Sequence, residues 1–215
     1  MIPIVPALIP TSESDVRKTL GHIGFSHEIH LDVVDGQFVQ NTSWPYDPAG
    51  MPQDVSAYTN QFTLEVDLMT SDPLTAAVNW ITAGADMLVF HLETISLENF
   101  KGIEAYTHIS AGISAHGDTT IDALLEYAQY ADYIQLMGIN EIGAMKQPFD
   151  DSVLDKIAEI KRAFPNKSIT IDGSVNGDTI KRLAEAGADR FIVGSAITLQ
   201  EDPQAAHAAL SALIN

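Results

Sequence analysis

WITAGADMLVFHLE, residues 80–93, and RLAEAGADRFIVGSA, residues 182–196, are two copies of one pattern. Each runs from a helical end through Ala-Gly-Ala-Asp into a short apolar run. EYAQYADYIQLMG (126–138) is a weaker third copy. The Gly suits the left-handed position just past a helix. The run that follows is apolar on consecutive residues, as expected of a parallel strand covered on both faces.

Outward from these copies the alternation continues. Strands are predicted near 3–9, 28–33, 63–68, 87–91, 108–113, 133–137, 168–172 and 190–194. Helices are predicted near 12–23, 72–83, 97–105, 120–128, 151–164, 177–186 and 202–213. Thr11-Ser12, Ser71-Asp72-Pro73 and Asp202-Pro203 are helix start signals. The connection 34–62 is long and rich in Pro, Gly and Asn, with room for a short helix around 54–60. About eight strands alternating with helices over 215 residues fit a (β/α)8 barrel, an eight-stranded parallel TIM barrel, as one domain spanning 1–215. An open doubly wound sheet is the competitor. It usually has fewer strands, and no strand here is followed by its G-x-G-x-x-G fingerprint.

The net charge of −18, from 29 acidic against 11 basic residues, argues against a nucleic-acid or anionic-membrane partner. Most of that charge, including Glu13, Glu159 and Glu201, reads as a solvated face. The absence of cysteine excludes disulfides, thiolate nucleophiles and Cys-ligated zinc. MIPIVPALIP lacks a basic n-region and holds three prolines, so it does not read as a signal peptide. A cytoplasmic protein is the expectation.

Three apolar segments end on carboxylates, although burying a charge is costly. In EIHLDVVDGQFV (28–39), His30 and Asp32 are two apart and point to the same side. Asp67 ends the third strand, His91 the fourth and Asp172 the seventh. In a barrel, the C-terminal strand ends line the active-site mouth. One rim would then hold two imidazoles and three carboxylates, which repel unless a cation sits among them. Asp35 in Asp-Gly reads as a turn former, and Asp86 and Asp189 fall on the opposite rim as structural residues. His91 alone reads equally as a hydrogen-bonded core residue. Glu65, one layer below Asp67, needs a buried partner that the sequence does not name.

At these residues the chain resembles the ribulose-phosphate 3-epimerases, nearly end to end. The matching motifs are IHLDVVDGQFV, LMTSDP, FHLE, LMGIN, ITIDGSV and IVGSAI, in that order. The resemblance implies metal-assisted epimerisation at C3 of a ketopentose 5-phosphate, between D-ribulose and D-xylulose 5-phosphate. It makes Asp32 and Asp172 the acid/base pair on opposite faces of the sugar. It makes His30, Asp32, Asp67 and Asp172 the ligands of a divalent metal (Mg, Mn, Fe or Zn). It further implies Met69, His91, Met137, Gly143, Gly173, Gly194 and Ser195 as substrate-binding residues, and Lys146 and Ser174, which the family pattern lacks, are expected to join them. The methionines also fit as plain core residues.

The chain departs from the family pattern in three places. Asp67 stands where the family has a histidine ligand, and this harder, more negative set favours Mg or Mn over Zn. Ala7 replaces a serine of the first strand. The glycine-rich phosphate loop becomes NEIGAMKQPF, which keeps Gly143 and Gln147 and adds Lys146 as a point charge. The partner expected is a small phosphorylated sugar, and a homo-oligomer stays open. Two alternatives stay open as well: another sugar or sugar-phosphate isomerase or lyase on the same barrel, and a non-catalytic sugar-phosphate-binding relative. No lysine ends a strand on this rim, which argues against Schiff-base chemistry, and DVVDG lacks the lysine of the Asp-x-Lys-x-x-Asp pattern of orotidylate-decarboxylase-like relatives.

Overall fold

The eight strands follow one another around a closed, all-parallel barrel, with the last paired to the first. They are β1 (Ile4–Leu8), β2 (Glu28–Val34), β3 (Thr63–Met69), β4 (Met87–His91), β5 (Ser110–Ser114), β6 (Tyr133–Met137), β7 (Ser168–Asp172) and β8 (Arg190–Val193). This computed structural model describes residues 2–144 and 146–215. The closure from β8 to β1 rules out the open sheet. The helices are α1 (Glu13–His22), α2 (Ser56–Thr59), α3 (Pro73–Ala83), α4 (Leu97–Gly102), α5 (Ile121–Ala128), α6 (Ser152–Ala163), α7 (Ile180–Ala186), α8 (Ser195–Thr198) and α9 (Pro203–Ser211). Among the described residues, no helix is long and apolar enough to cross a membrane.

Local chemistry explains the boundaries. Ser12, Asp72 and Asp202 each accept a hydrogen bond from a backbone N–H in the first turn of α1, α3 and α9. Pro73 and Pro203 open their helices, where an N–H would be unpaired anyway. The predicted helix 177–186 starts later, at Ile180. Residues 176–179 form a turn instead, in which the Thr179 hydroxyl donates to the Ser174 carbonyl at 2.7 Å. The long connection after β2 holds a 3-10 turn, Pro52–Val55, followed by α2.

The repeated Ala-Gly-Ala-Asp now has a physical account. Gly84 and Gly187 end α3 and α7 in left-handed conformations, with φ of 98° and 110°. The Asp two residues later clasps the neighbouring strand. Asp86 donates its N–H to the Leu64 carbonyl and accepts the Leu64 N–H on Oδ2, both at 2.9 Å. Asp189 does the same with Ile169 of β7, both bonds at 2.8 Å, and Asp132 of the third copy with Ala111 of β5. The motif closes the N-terminal rim, away from the mouth.

The apolar core lies between the strands and the helices, with Trp80, Phe90, Phe100 and Phe191 its largest side chains. Inside the barrel, Val5, Ala7 and Ile192 form a small apolar cluster of their own. Gly112 makes room for the Tyr133 ring, because a Cβ there would lie 2.4 Å from it. Tyr133 donates to Glu65 Oε1 at 2.5 Å, Arg190 donates to Glu65 Oε2 at 2.7 Å, and Arg190 also reaches Glu28 at 2.9 Å. Glu65 therefore has its partners. Burial alone would raise its carboxyl, but Arg190 and then His30 overcome that and hold it at about 2.

Candidate active site

Register builds the mouth. β2 and β3 run level, so His30 pairs with Glu65 and Asp32 with Asp67, and β6 and β7 pair Met137 with Asp172. Alternation then carries His30 and Asp32 to one side of β2, and Glu65, Asp67 and Met69 to one side of β3. One ligand atom from each of His30, Asp32, Asp67 and Asp172 lies within 4.8 Å of the others. The first three are buried and Asp172 is half-buried.

Each member has a defined support. His30 Nδ1 is 2.8 Å from Glu65 Oε2, and its Nε2 is 3.3 Å from Asp32 Oδ1. With Nδ1–H given to Glu65, Nε2 is turned toward the cluster, the carboxylate–histidine arrangement that orients a metal ligand. Asp67 Oδ1 meets His91 Nε2 at 2.8 Å, and its Oδ2 accepts from Gln135 Nε2 at 2.7 Å. Three carboxylates and one imidazole crowded together at the base of the mouth fit a divalent cation that prefers oxygen.

The electrostatics of the cluster follow from its crowding. Burial first, then the charge of Asp32, raises the Asp172 carboxyl well above its ordinary value. Asp32 is also raised, by burial, against the pull of His30. Burial would lower His30, but the charges of Asp32 and Glu65 prevail and raise it well above 6.5. Each shift reduces net negative charge, as crowded carboxylates require.

Above the cluster opens a cavity of about 210 Å³. Of the residues singled out from sequence, Asp32, Asp172, Met69, Met137, Gly143, Lys146, Gly173, Ser174, Gly194 and Ser195 line it. His30, Asp67 and His91 have no exposed surface and lie beneath or behind it. His91 contacts Asp67 and stacks near Phe38, ring centroids 5.2 Å apart, rather than forming cavity wall. Met69 and Met137 belong to an apolar cluster with Val34, Ile139 and Ile142 and also reach the cavity, so both readings of them apply.

At the other end of the cavity, Gly173 and Ser174 take positive φ of 91° and 51°. A Cβ on Gly173 would come within 2.7 Å of Ile139. The Ser174 hydroxyl donates to the Gln147 carbonyl, tying the loop after β6 to the loop after β7. Lys146 is the one lysine or arginine on the cavity wall among the described residues.

Gln135, Asn176 and Arg190 were not singled out from sequence. Gln135 carried a signal: it is the lone amide in the apolar strand YIQLM, two residues before Met137 and so on the same face. Asn176 lines the cavity and holds the Ser174 carbonyl at 3.0 Å. Arg190 is 125 residues from Glu65, and nothing local in the sequence links them.

Fold and cluster together define a (β/α)8 barrel with a carboxylate–imidazole centre at its C-terminal mouth. The profile of the ribulose-phosphate 3 epimerase family matches residues 3–198, and the chain belongs to that family. The ribulose-phosphate 3-epimerase of Mycobacterium tuberculosis (strain ATCC 25618 / H37Rv) is 30% identical over 216 residues, covering 96% of this chain and 90% of the relative. That of Bacillus subtilis (strain 168) is 31% identical over 217 residues, covering 94% of each. Among solved structures, the 3-keto-L-gulonate-6-phosphate decarboxylase of Vibrio cholerae superposes with a TM-score of 0.75 at 17% identity, covering 100% of this chain and 98% of that one. The 3-hexulose-6-phosphate synthase of Salmonella typhimurium gives 0.73 at 16%, with the same coverage. At such identities the structural likeness shows the fold alone.

Proposed function

We propose that the chain is a divalent-metal-dependent epimerase that interconverts D-ribulose 5-phosphate and D-xylulose 5-phosphate at C3. The observation that carries this reading is the convergence of Asp32 and Asp172 on one cavity, with His30 and Asp67 grouped with them inside 4.8 Å. Membership of the family, and relatives named for this activity at about 30% identity, support the same substrate.

His30, Asp32, Asp67 and Asp172 would hold the ion, and when bound it supplies positive charge that stabilises the oxygens of an enediolate. One aspartate removes the proton from C3, and the C–H electron pair moves toward the C2 carbonyl, giving the enediolate. The other carboxyl returns a proton to C3 from the opposite face, which inverts the centre. Asp32 and Asp172 both line the cavity, so either carboxyl reaches a sugar held there. Met69, Met137 and Ile139 form an apolar wall that excludes water from the reacting carbons. Lys146 and the loops at Gly173-Ser174 and Gly194-Ser195 take the phosphate end.

The phosphate end also favours a second reading, another ketose-phosphate isomerase or lyase on this scaffold. There the Ser174 hydroxyl is turned to a carbonyl, and Lys146 is the single cation on the wall among the described residues. Proton exchange separates the two. The protein with Mn²⁺ and ribulose 5-phosphate in D2O is expected to place deuterium at C3, read by NMR. Asp172→Asn is expected to slow uptake by about 10²–10⁴-fold. Absence of uptake above the enzyme-free rate overturns the first reading, and uptake from a different ketose phosphate favours the second.

A further inference from the structure

We infer that His91 and Gln135 are positioning residues: together they fix the Asp67 carboxylate as a metal ligand. The inference rests on the metal reading above and goes beyond it to the groups that make Asp67 usable as a ligand. Asp67, His91 and Gln135 have no exposed surface. A carboxylate in such a place is free to rotate, with its oxygens unpaired, unless donors hold it. Here one donor meets each oxygen, His91 Nε2 on Oδ1 at 2.8 Å and Gln135 Nε2 on Oδ2 at 2.7 Å. Two charge-assisted bonds from opposite sides set the plane of the carboxylate. Each oxygen keeps a free lone pair, and one of them lies within the 4.8 Å group with His30, Asp32 and Asp172.

A second observation supports the assignment of these donors to Asp67. Among the described residues, His91 Nδ1 and Gln135 Oε1 are buried without a protein hydrogen-bond partner. Leaving a buried polar atom unpaired is destabilising, so neither side chain is there to complete a general polar network. The protein bond that each makes with ordinary N···O geometry goes to Asp67, apart from a weak 3.8 Å contact between Gln135 and the Met137 sulfur. Gln135 reaches across the barrel from β6, and His91 comes from the adjacent strand β4. Both would be replaceable by apolar residues if the carboxylate did not need them.

The test uses Mn²⁺ alone on the full, metal-stripped protein, with free Mn²⁺ read by electron paramagnetic resonance. Wild type is expected to bind one ion. Gln135→Met and His91→Leu are each expected to weaken Mn²⁺ binding by about 10–100-fold, and His91→Gln, which keeps a side-chain N–H donor, is expected to recover most of the loss. In an Asp67→Ala background the same changes are expected to add less than about twofold. Far-UV circular dichroism establishes which variants are folded. If His91→Leu does not fold, the Gln135→Met pair with and without Asp67 decides. Unchanged Mn²⁺ binding in folded variants, or an equal loss in the Asp67→Ala background, overturns the inference and leaves the metal reading standing. Failure of wild type to bind Mn²⁺ overturns both.

Discussion

Asp67 is the residue at which this chain departs most from the pattern its family resemblance implies, and the departure is chemically specific. It adds an oxygen donor and a negative charge to a group that already holds Asp32 and Asp172. Asp67→His is therefore expected to strengthen Zn²⁺ binding relative to Mg²⁺, because imidazole suits zinc better than magnesium. Calorimetric titration of both ions into the metal-free protein checks this, and an unchanged ratio removes Asp67 from the ligand set. At this scale the sequence was informative where spacing alone decides direction. His30 and Asp32, two apart on one strand, face the same way in any barrel. It was silent on Glu65, whose partners Tyr133 and Arg190 are 68 and 125 residues away. It left His91 open, because only three-dimensional placement distinguishes a wall residue from one that stands behind Asp67.

At the scale of the element, the glycines of the repeat have different roles from those in helices. Gly187 sits at φ 110°, where a side chain is strained even though the nearest atom to an added Cβ is 3.7 Å away. Gly187→Ala is expected to lower stability by about 1–2 kcal/mol. Gly21, within α1 and with nothing within 4 Å of an added Cβ, is the counterpart. Gly21→Ala is expected to raise stability by about 0.5–1 kcal/mol, because alanine loses less backbone freedom in a helix. Thermal unfolding reads both, at about 2–4 °C per kcal/mol for a chain of this size. Equal signs for the two substitutions would contradict the assignment of the repeat glycine as a left-handed cap. The helix starts were legible because Ser12, Asp72 and Asp202 cap them through local bonds. The start of α7 was not, because the Thr179 hydroxyl bonds the Ser174 carbonyl and holds 176–179 in a turn ahead of the helix.

Across the whole molecule, the floor and the mouth of the barrel interior respond oppositely to acid. Glu65 is held at about 2, below its ordinary 4.5. Its contribution is present above pH 4.5 and is lost as the pH falls toward 2. Asp172 and Asp32 are raised above 3.8, so the folded chain takes up protons there before the unfolded chain does, and stability rises as the pH falls toward 3.8. His30, raised above 6.5, adds stability that is complete below 6.5 and is lost as the pH rises through its folded value. The metal-free protein is therefore expected to melt at higher temperature near pH 5 than near pH 8, and to lose stability again below about pH 4. Saturating Mn²⁺ is expected to raise the midpoint most at the alkaline end, where the carboxylates are charged. A midpoint that climbs steadily from about pH 5 to about pH 8 without metal would contradict the crowding of the mouth.

The amino-acid order alone determined the alternation of strand and helix, the number of strands and the rim on which His30, Asp32, Asp67 and Asp172 gather. All of these follow from periodicities and caps that act over a few residues. Only the tertiary structure decided that β8 closes on β1, that Glu65 lies between His30, Tyr133 and Arg190, and that His91 and Gln135 grip Asp67. Those contacts join residues from separate strands, and their existence depends on barrel curvature and strand register, which no local stretch of chain encodes.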